Sequence, residues 1–272
     1  MVRSLWTAAT GMNAQQTNVD TIANNLSNVN TVGYKAQVAQ FKSLLYQTLQ
    51  TATTTANGDP KPTSSQVGLG VRNSSINSIF TQGSLLSSNS DTSFAIEGAG
   101  YFAIRDADGV TNYTRNGDFT WAMNGNGTMI LTNQDGLPVL SSTGTTITLD
   151  ANRVTSRITI SKDGTLYYPD ANGTPRSLGV TIGMYQFNNP GGLVRKGDTL
   201  WQVSAASGEA LNEATNNNVV KSRMVQNYLE GSNVQVADEM VNLIVAQRAY
   251  EMNSKAITTT DEMMQTANNL KR

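Results

Sequence analysis

Eight positions within the first 29 residues recur at alternating spacings of three and four: Leu5, Ala8, Met12, Gln15, Val19, Ile22, Leu26 and Val29. All but Gln15 are apolar. This is a heptad seam, and it commits the stretch to a helix with a face to bury. At about 1.5 Å per residue that helix is some 35–40 Å long. Near the other end of the chain Leu243, Tyr250, Ile257 and Met264 recur every seven residues, with Ala246 and Ala267 on the same flank. Two seamed helices at opposite ends of 272 residues are the strongest constraint on the fold. The simplest packing buries each seam on the other, antiparallel if the intervening chain runs back on itself.

The first helix is unusual off its seam. Asp20 is the only charged residue between Ser4 and Val29, and the outer positions hold Thr, Asn, Gln, Ser and Ala. A solvated helix face normally carries Lys and Glu. We read a helix contacted on several sides by other protein. The second helix differs, with Glu239, Arg248, Glu251, Lys255, Asp261 and Glu262 expected on its outer side. Arg248 with Glu251, and Glu251 with Lys255, are spaced as helix neighbours. Over the whole chain only 14% of residues are charged, and net charge −1 offers nucleic acid no basic footprint.

Between the helical ends the pattern changes twice. "AQVAQFKSLLYQTLQ" reads as a second helical stretch ending near Gln50. "TATTTANGDPKPTSSQVGLGVRN" lacks periodicity and reads as an extended linker. From about Ser93 to Val203, β-branched and aromatic runs alternate with turn dipeptides such as Asp108-Gly109, Asn116-Gly117 and Asp135-Gly136. Ala205 to Asn218 reads as a return linker, and the last helix starts near Val234. The expected fold is α+β: terminal helices paired in a coiled-coil-like unit, a central all-antiparallel β domain, and extended linkers. The expected segments are 1–45 (helical), 46–75 (extended), 76–204 (β), 205–228 (return linker) and 229–272 (C-terminal helix).

The chemistry available to this chain is narrow. It has neither Cys nor His, so thiolate nucleophiles, disulfides, imidazole bases and Cys- or His-based metal sites are excluded within it. Asp106, Asp108 and Asp118 sit in or beside hairpin turns, as Asp does, and with Glu97 form no distinct carboxylate motif. "GLGVRN" lacks the strand–helix context of a nucleotide loop, and "IEGAGY" reads as a bend between two strands. Tyr101, Phe102, Tyr113, Phe119 and Trp121 fit a sheet core better than a glycan-binding face. No catalytic residue, metal or cofactor is expected. No run of about eighteen apolar residues forms a membrane span, and no signal-peptide pattern precedes a cleavage site. This reads as a cytoplasmic chain, or one exported with its N-terminus uncleaved.

"ANNLSNVNTVGYK" closes the first helix. Leu26 and Val29 finish the seam. Asn28, Asn30 and Thr31 are placed to satisfy the last carbonyls. Gly33, with Tyr34, reads as a hinge where the chain leaves the helix. Asn24 and Asn25, with no charge beside them, are placed to hydrogen-bond to neighbouring subunits.

Three stretches resemble the bacterial flagellar rod and hook proteins: "SLWTAATGMNAQQTNVDTIANNLSNVNTVGYK", "FAIEGAGYFAI" with "YTRNGDFT", and "LEGSNVQVADEMVNLIVAQRAYEMNSKAITTTDEMMQTANNLKR". They come in the family's order and cover nearly the whole chain. "SLWTAATGMNAQQTN", "LLYQTLQ" and "QVGLGVR" are most similar to its distal-rod branch, and Gln47–Val71 resembles the insertion that distinguishes the stiff rod from the flexible hook. Tyr34 replaces a commoner Phe and Ser27 a common Ala.

The resemblance implies a non-enzymatic subunit. Many copies would assemble helically into a hollow drive shaft that transmits torque, with the terminal helices as an inner tube and the β domain outside. Seam residues Leu5, Met12, Val19, Ile22, Leu26, Val29, Leu243, Tyr250, Ile257 and Met264, with Asn24 and Asn25, would carry assembly. Export would use the flagellar type III apparatus, and Phe41 with Leu45 resembles its export-gate motif. Partners would be further copies, other rod proteins and hook protein along the axis, and ring proteins where an outer membrane is present, in a basal body spanning the periplasm or cell wall. A proximal-rod or hook role, or a peptidoglycan-binding or -cleaving β module, are the alternatives.

Overall fold

The computed structural model describes residues 2–50, 64–125, 127–170, 173–197 and 199–270. They form two compact units. Unit 1 gathers Met1–Ser27, Gln37–Ser78 and Gln235–Arg272; unit 2 gathers Asn28–Ala36 and Ile79–Val234. The chain threads between them, crossing four times, at 27/28, 36/37, 78/79 and 234/235.

Unit 1 is built on two helices, α1 (Val2–Ser27) and α2 (Val236–Asn269). They run antiparallel: Gly11 of α1 lies beside Asn253 of α2, and Asn25 reaches Glu239. A Cβ added at Gly11 would stand 2.9 Å from Asn253 Nδ2, so the absence of a side chain permits this approach. α1 is rich in Thr, a mild helix disfavourer whose hydroxyl turns back to the carbonyl of the preceding turn. Here Thr7 and Thr17 donate to the carbonyls of Arg3 and Asn13, and Thr21 and Ser27 to those of Thr17 and Ala23. Asp238 and Glu239 occupy the first turn of α2, where negative charge favours the helix dipole.

The same unit holds β1 (Gln37–Ser43), β2 (Tyr46–Gln50), β3 (Ser65–Gly68) and β4 (Val71–Ser78). β1 pairs antiparallel with β4 from Gln37↔Ser78 to Ser43↔Val71, with a register shift between Gln40 and Phe41. β2 pairs with β3, placing Tyr46 opposite Gly68. The helix expected over "AQVAQFKSLLYQTLQ" is therefore corrected to two strands. Its apolar spacing fits both periods, and distant partners decide for strand. The flanks of the expected 46–75 linker are likewise paired strand. Its centre, within the rod-type Gln47–Val71 stretch, lies at 51–63, outside the described residues.

Unit 2 is antiparallel β. In chain order it contains β5 (Leu85–Ser87), β6 (Phe94–Glu97), β7 (Tyr101–Arg105), β8 (Thr111–Thr114), β9 (Thr120–Asn124), β10 (Thr128–Thr132), β11 (Thr148–Asp150) and β12 (Thr159–Ile160). There follow β13 (Thr165–Pro169), β14 (Pro175–Thr181), β15 (Met184–Gln186), β16 (Val194–Gly197), β17 (Leu200–Gln202), β18 (Leu211–Asn212), β19 (Arg223–Gln226) and β20 (Tyr228–Glu230). The largest sheet has six strands in the order β16-β17-β8-β7-β15-β18. Smaller sheets are β11-β10-β9, β12-β13-β14, β19-β6 and β20-β5. Within the mostly irregular stretch expected as the return linker, β18 pairs with β15, and near its end β19 and β20 reach back to pair with β6 and β5.

The core of unit 2 is aromatic and branched, with Phe94, Phe102, Ile104, Phe119, Leu131 and Val139 all buried. Phe102 meets Phe119 edge-on, centroids 5.1 Å apart. A second cluster holds Tyr101, Tyr113, Phe187 and Trp201. Burial pushes the hydroxyls of Tyr101 and Tyr113 up to about 12. The aromatic residues weighed as a glycan face are thus core, with only Trp121 partly exposed beside them. Asn116-Gly117 is no hairpin turn: a Cβ on Gly117 would collide with the Phe94 carbonyl oxygen, so this glycine serves a close approach of backbone.

Candidate assembly surfaces

The seam residues come together in unit 1. On α1, Ala8, Ala14 and Ile22 are buried, while Leu5, Met12, Val19 and Leu26 are half-buried. On α2, Ala246 and Thr260 are buried, and Leu243, Ile257 and Met264 half-buried. Tyr250 stays 42% exposed, and with Gln16, Val19, Gln247 and Glu251 lines a groove along the helix pair. Val29 lies past the end of α1, in unit 2, against Tyr34, Ala36 and Val234.

α2 carries a second apolar stripe. Val241, Ile244, Val245, Met252 and Met263 are 55–66% exposed. At about 100° per residue they fall opposite the seam, so this helix is apolar on two opposing faces and α1 covers one. Of the charges expected on the outer side of α2, Arg248, Glu251, Lys255, Asp261 and Glu262 are exposed, with Arg248 2.7 Å from Glu251, and Arg248 and Lys255 interrupt the apolar stripe; only Glu239 departs, turning to the α1 side. There burial pushes the Glu239 carboxyl above its ordinary 4.5, the Asn25 amide opposing and Asp238 adding to the shift. More exposed apolar surface surrounds the β2–β3 pair at Leu45, Tyr46, Leu49, Val67 and Leu69.

Asn25 is 1% exposed. Its Oδ1 accepts the Gln37 N–H at 2.8 Å, and its Nδ2 donates to the Gln37 carbonyl at 2.8 Å and to Glu239 Oε1 at 3.0 Å. The expectation that it reaches a neighbouring subunit is corrected: its amide is engaged inside its own chain. Asn24 is exposed. Phe41 is half-buried on β1 and Leu45 is 84% exposed after that strand, so they do not share a helix face.

Gly33 and Tyr34, expected as a hinge, are instead a packed corner of unit 2. Both are buried. Gly33 has φ +70°, and a Cβ there would stand 2.6 Å from the Asn116 nitrogen. Its N–H donates to the Glu230 carbonyl at 2.8 Å, and the Arg195 guanidinium lies over the Tyr34 ring at 4.8 Å.

One residue further is a buried ionic node that periodicity does not disclose. Lys35 Nζ lies 2.6 Å from Glu230 Oε1, and Arg115 NH1 lies 3.1 Å from Glu230 Oε2, with all three side chains at most 3% exposed. Lys35 also donates to the Thr81 carbonyl, Arg115 to the Gly98 carbonyl, and the Gly83 N–H to Glu230 Oε1. The guanidinium rests 4.9 Å over the Tyr101 ring. Burial lowers the Lys35 ammonium from its ordinary value, against the attraction of Glu230. The available signal was a charge inside each of "VGYK", "YTRNG" and "LEGSN", in a chain with few charges.

Elsewhere carboxylates serve turns and bonds. Asp106 accepts from the Ala107 N–H and from Asn112, and Asp118 from Gln134. Among the described residues no group of three or more Asp or Glu is gathered to hold a metal ion.

Known proteins match along the whole chain. Residues 5–35 match the description "Flagella basal body rod protein", 95–168 "Flagellar hook protein FlgE/F/G D1 domain", and 225–270 "Flagellar basal body rod FlgEFG protein C-terminal". Each matched stretch contributes one member of the ionic node. The flagellar basal-body rod protein FlgG of Borreliella burgdorferi is 44% identical over 274 residues, covering 100% of both chains. That of Agrobacterium fabrum is 41% identical, over 96% of this chain and 97% of its own. That of Bacillus subtilis is 36% identical, over 100% of both. With three family segments in order and full-length relatives above one-third identity, the chain belongs to the flagellar basal-body rod FlgEFG family.

Proposed function

We propose that this chain is the structural subunit of the flagellar distal rod. Copies assemble helically into a hollow, rigid shaft that carries torque to the hook. The observation that carries the reading is α2, apolar on two opposing faces with one covered inside the chain. A stripe of large apolar residues along a helix marks a surface built for protein contact. An interface between unlike patches of identical subunits, repeated with a rotation that does not close, generates a helical filament. Its relatives' names support the basal body as location, and the flagellar type III apparatus is the export route that the family implies. Other rod and hook proteins are the axial partners, with surrounding rings where an outer membrane is present. The chain works without cofactor or catalysis.

The test places charge on the open stripe. Val241→Glu with Ile244→Glu should leave the monomer's melting within about 0.5 kcal/mol, as exposed positions do. It should abolish rods, counted in isolated basal bodies by electron microscopy. Rods at wild-type number would overturn the reading. Labelled protein located along the basal body separates a distal from a proximal or hook position.

A further inference from the structure

Five Asn-Gly pairs occur in the sequence, with Asn at 57, 116, 124, 126 and 172. Such a pair carries its own reaction. Glycine leaves its backbone nitrogen uncrowded, and the preceding asparagine holds an amide carbon within reach of it. Whether the nitrogen attacks depends on the fold keeping the two groups together and free to move. Asn116-Gly117 and Asn124-Gly125, both in unit 2, lie wholly within the described residues. The fold treats them in opposite ways.

Asn124 ends β9, and Gly125 opens the turn into β10. Both are exposed. The Gly125 N–H donates to Asn124 Oδ1 at 2.9 Å, so the nitrogen already stands beside the carbonyl group it would attack. Reacting atoms about 3–3.5 Å apart make a near-attack arrangement. Nothing lies within 4 Å of the place a Gly125 Cβ would take, which leaves the turn room to swing. At Asn116 the amide is engaged elsewhere: its Oδ1 accepts the Asp118 N–H at 3.0 Å. Gly117 is buried, its carbonyl accepts the Phe94 N–H at 2.9 Å, and its backbone is locked against Phe94.

We propose that Asn124-Gly125 is a self-modifying site in the β9–β10 turn. The Gly125 nitrogen loses its proton to solvent and bonds to Asn124 Cγ. The Cγ–Nδ2 bond breaks, and Nδ2 takes up a proton and leaves as ammonia. Water then opens the cyclic imide at either of its two carbonyls. One opening leaves aspartate at 124; the other leaves its isomer, with the main chain running through the former side chain. The sum is asparagine plus water giving a carboxyl group and ammonia, with no oxidant, metal or enzyme. Each event makes the chain one charge more negative, so the tip of this hairpin records the age of the molecule. The proposal is independent of the rod-subunit reading.

The test ages the full-length folded chain in mildly alkaline buffer and maps the products by peptide mass spectrometry. Asn124 should convert to a mixture of aspartate and its isomer at least roughly tenfold faster than Asn116, faster still as pH rises. Gly125→Ala adds a methyl that meets nothing within 4 Å, at a position that does not use a left-handed backbone. It should fold and melt as the wild type does, yet crowd the attacking nitrogen and slow conversion at 124 roughly tenfold. Unfolding the wild type in denaturant should bring Asn116 up toward the rate of Asn124, because its lock is a property of the fold. Only fragments that assign the change to 124, and not to Asn126 beside it, are counted. Three results overturn the proposal: Asn124 no faster than Asn116 in the folded chain, aspartate formed without the isomer, or Gly125→Ala converting as fast as the wild type.

Discussion

Glu230 shows how much a single residue can hold in a chain with few charges. Its two carboxylate oxygens face Lys35 and Arg115, and its carbonyl accepts from Gly33. A buried ion pair adds little net stability over an apolar replacement, because both ions lose their hydration. Removing one partner is different, since the others remain buried and uncompensated. Glu230→Gln leaves two cations facing a neutral amide, and unit 2 should lose about 3–5 kcal/mol, read from the denaturant midpoint. Lys35→Met leaves the Arg115–Glu230 pair intact and should cost less. The node escaped prediction because Lys35 and Glu230 lie 195 positions apart, and nothing local pairs them.

Glu239 gives a pH prediction. Its folded carboxyl titrates above the ordinary 4.5, chiefly through burial. The folded state thus holds that proton more tightly than the unfolded state does. The associated stability is fully present below pH 4.5 and is lost as pH rises through the folded value. Glutamine cannot ionise, and its amide oxygen still accepts from Asn25. Glu239→Gln should therefore melt above the wild type at neutral pH, with the gap closing as pH falls toward 4.5. A gap constant with pH would show that burial of this carboxylate is not the cause.

At the scale of elements, legibility followed locality. α1 and α2 announced themselves because a seven-residue recurrence sustained over four turns or more has one physical reading. The strands of unit 2 between about Ser93 and Val203 were legible from their turn chemistry, Asn116-Gly117 apart, while β18 to β20 carried no such signal. Residues 37–50 were not, since Val38, Phe41, Leu45 and Leu49 fit helical spacing as well as strand. Their strand state depends on β4 and β3, which arrive from beyond residue 64. A two-stranded pair alone is marginal in water. Residues 37–78 excised as a peptide should show no protected amides, while in the whole chain Val38 to Phe41 should exchange slowly. Protection in the excised peptide would mean the ladder needs no support from α1.

At the scale of the whole molecule, both units are assembled from pieces remote in sequence. Unit 1 takes its second helix from the last part of the chain, and unit 2 takes Glu230 from just before it. Periodicity and turn chemistry made the fold class and the order of parts legible, and the family resemblance follows the same order. It did not disclose the threading, because short motifs name segments without saying which of them touch. A chain ending at residue 228 lacks both α2 and Glu230. It should lose cooperative melting of both units, seen as two absent transitions in calorimetry, and a surviving unit 2 transition would contradict the importance of the node.

That threading also sets a schedule. For a chain delivered N-terminus first through a narrow passage, the early residues find no seam to bury and no anion for Lys35 or Arg115. The helix partner of α1 and the anion of the buried node both wait on the same late segment. In such a passage the helix pair and the buried node would form only after the final stretch had cleared, so the order of the amino acids would act as a clock, keeping those parts pliable until the last of the chain arrived.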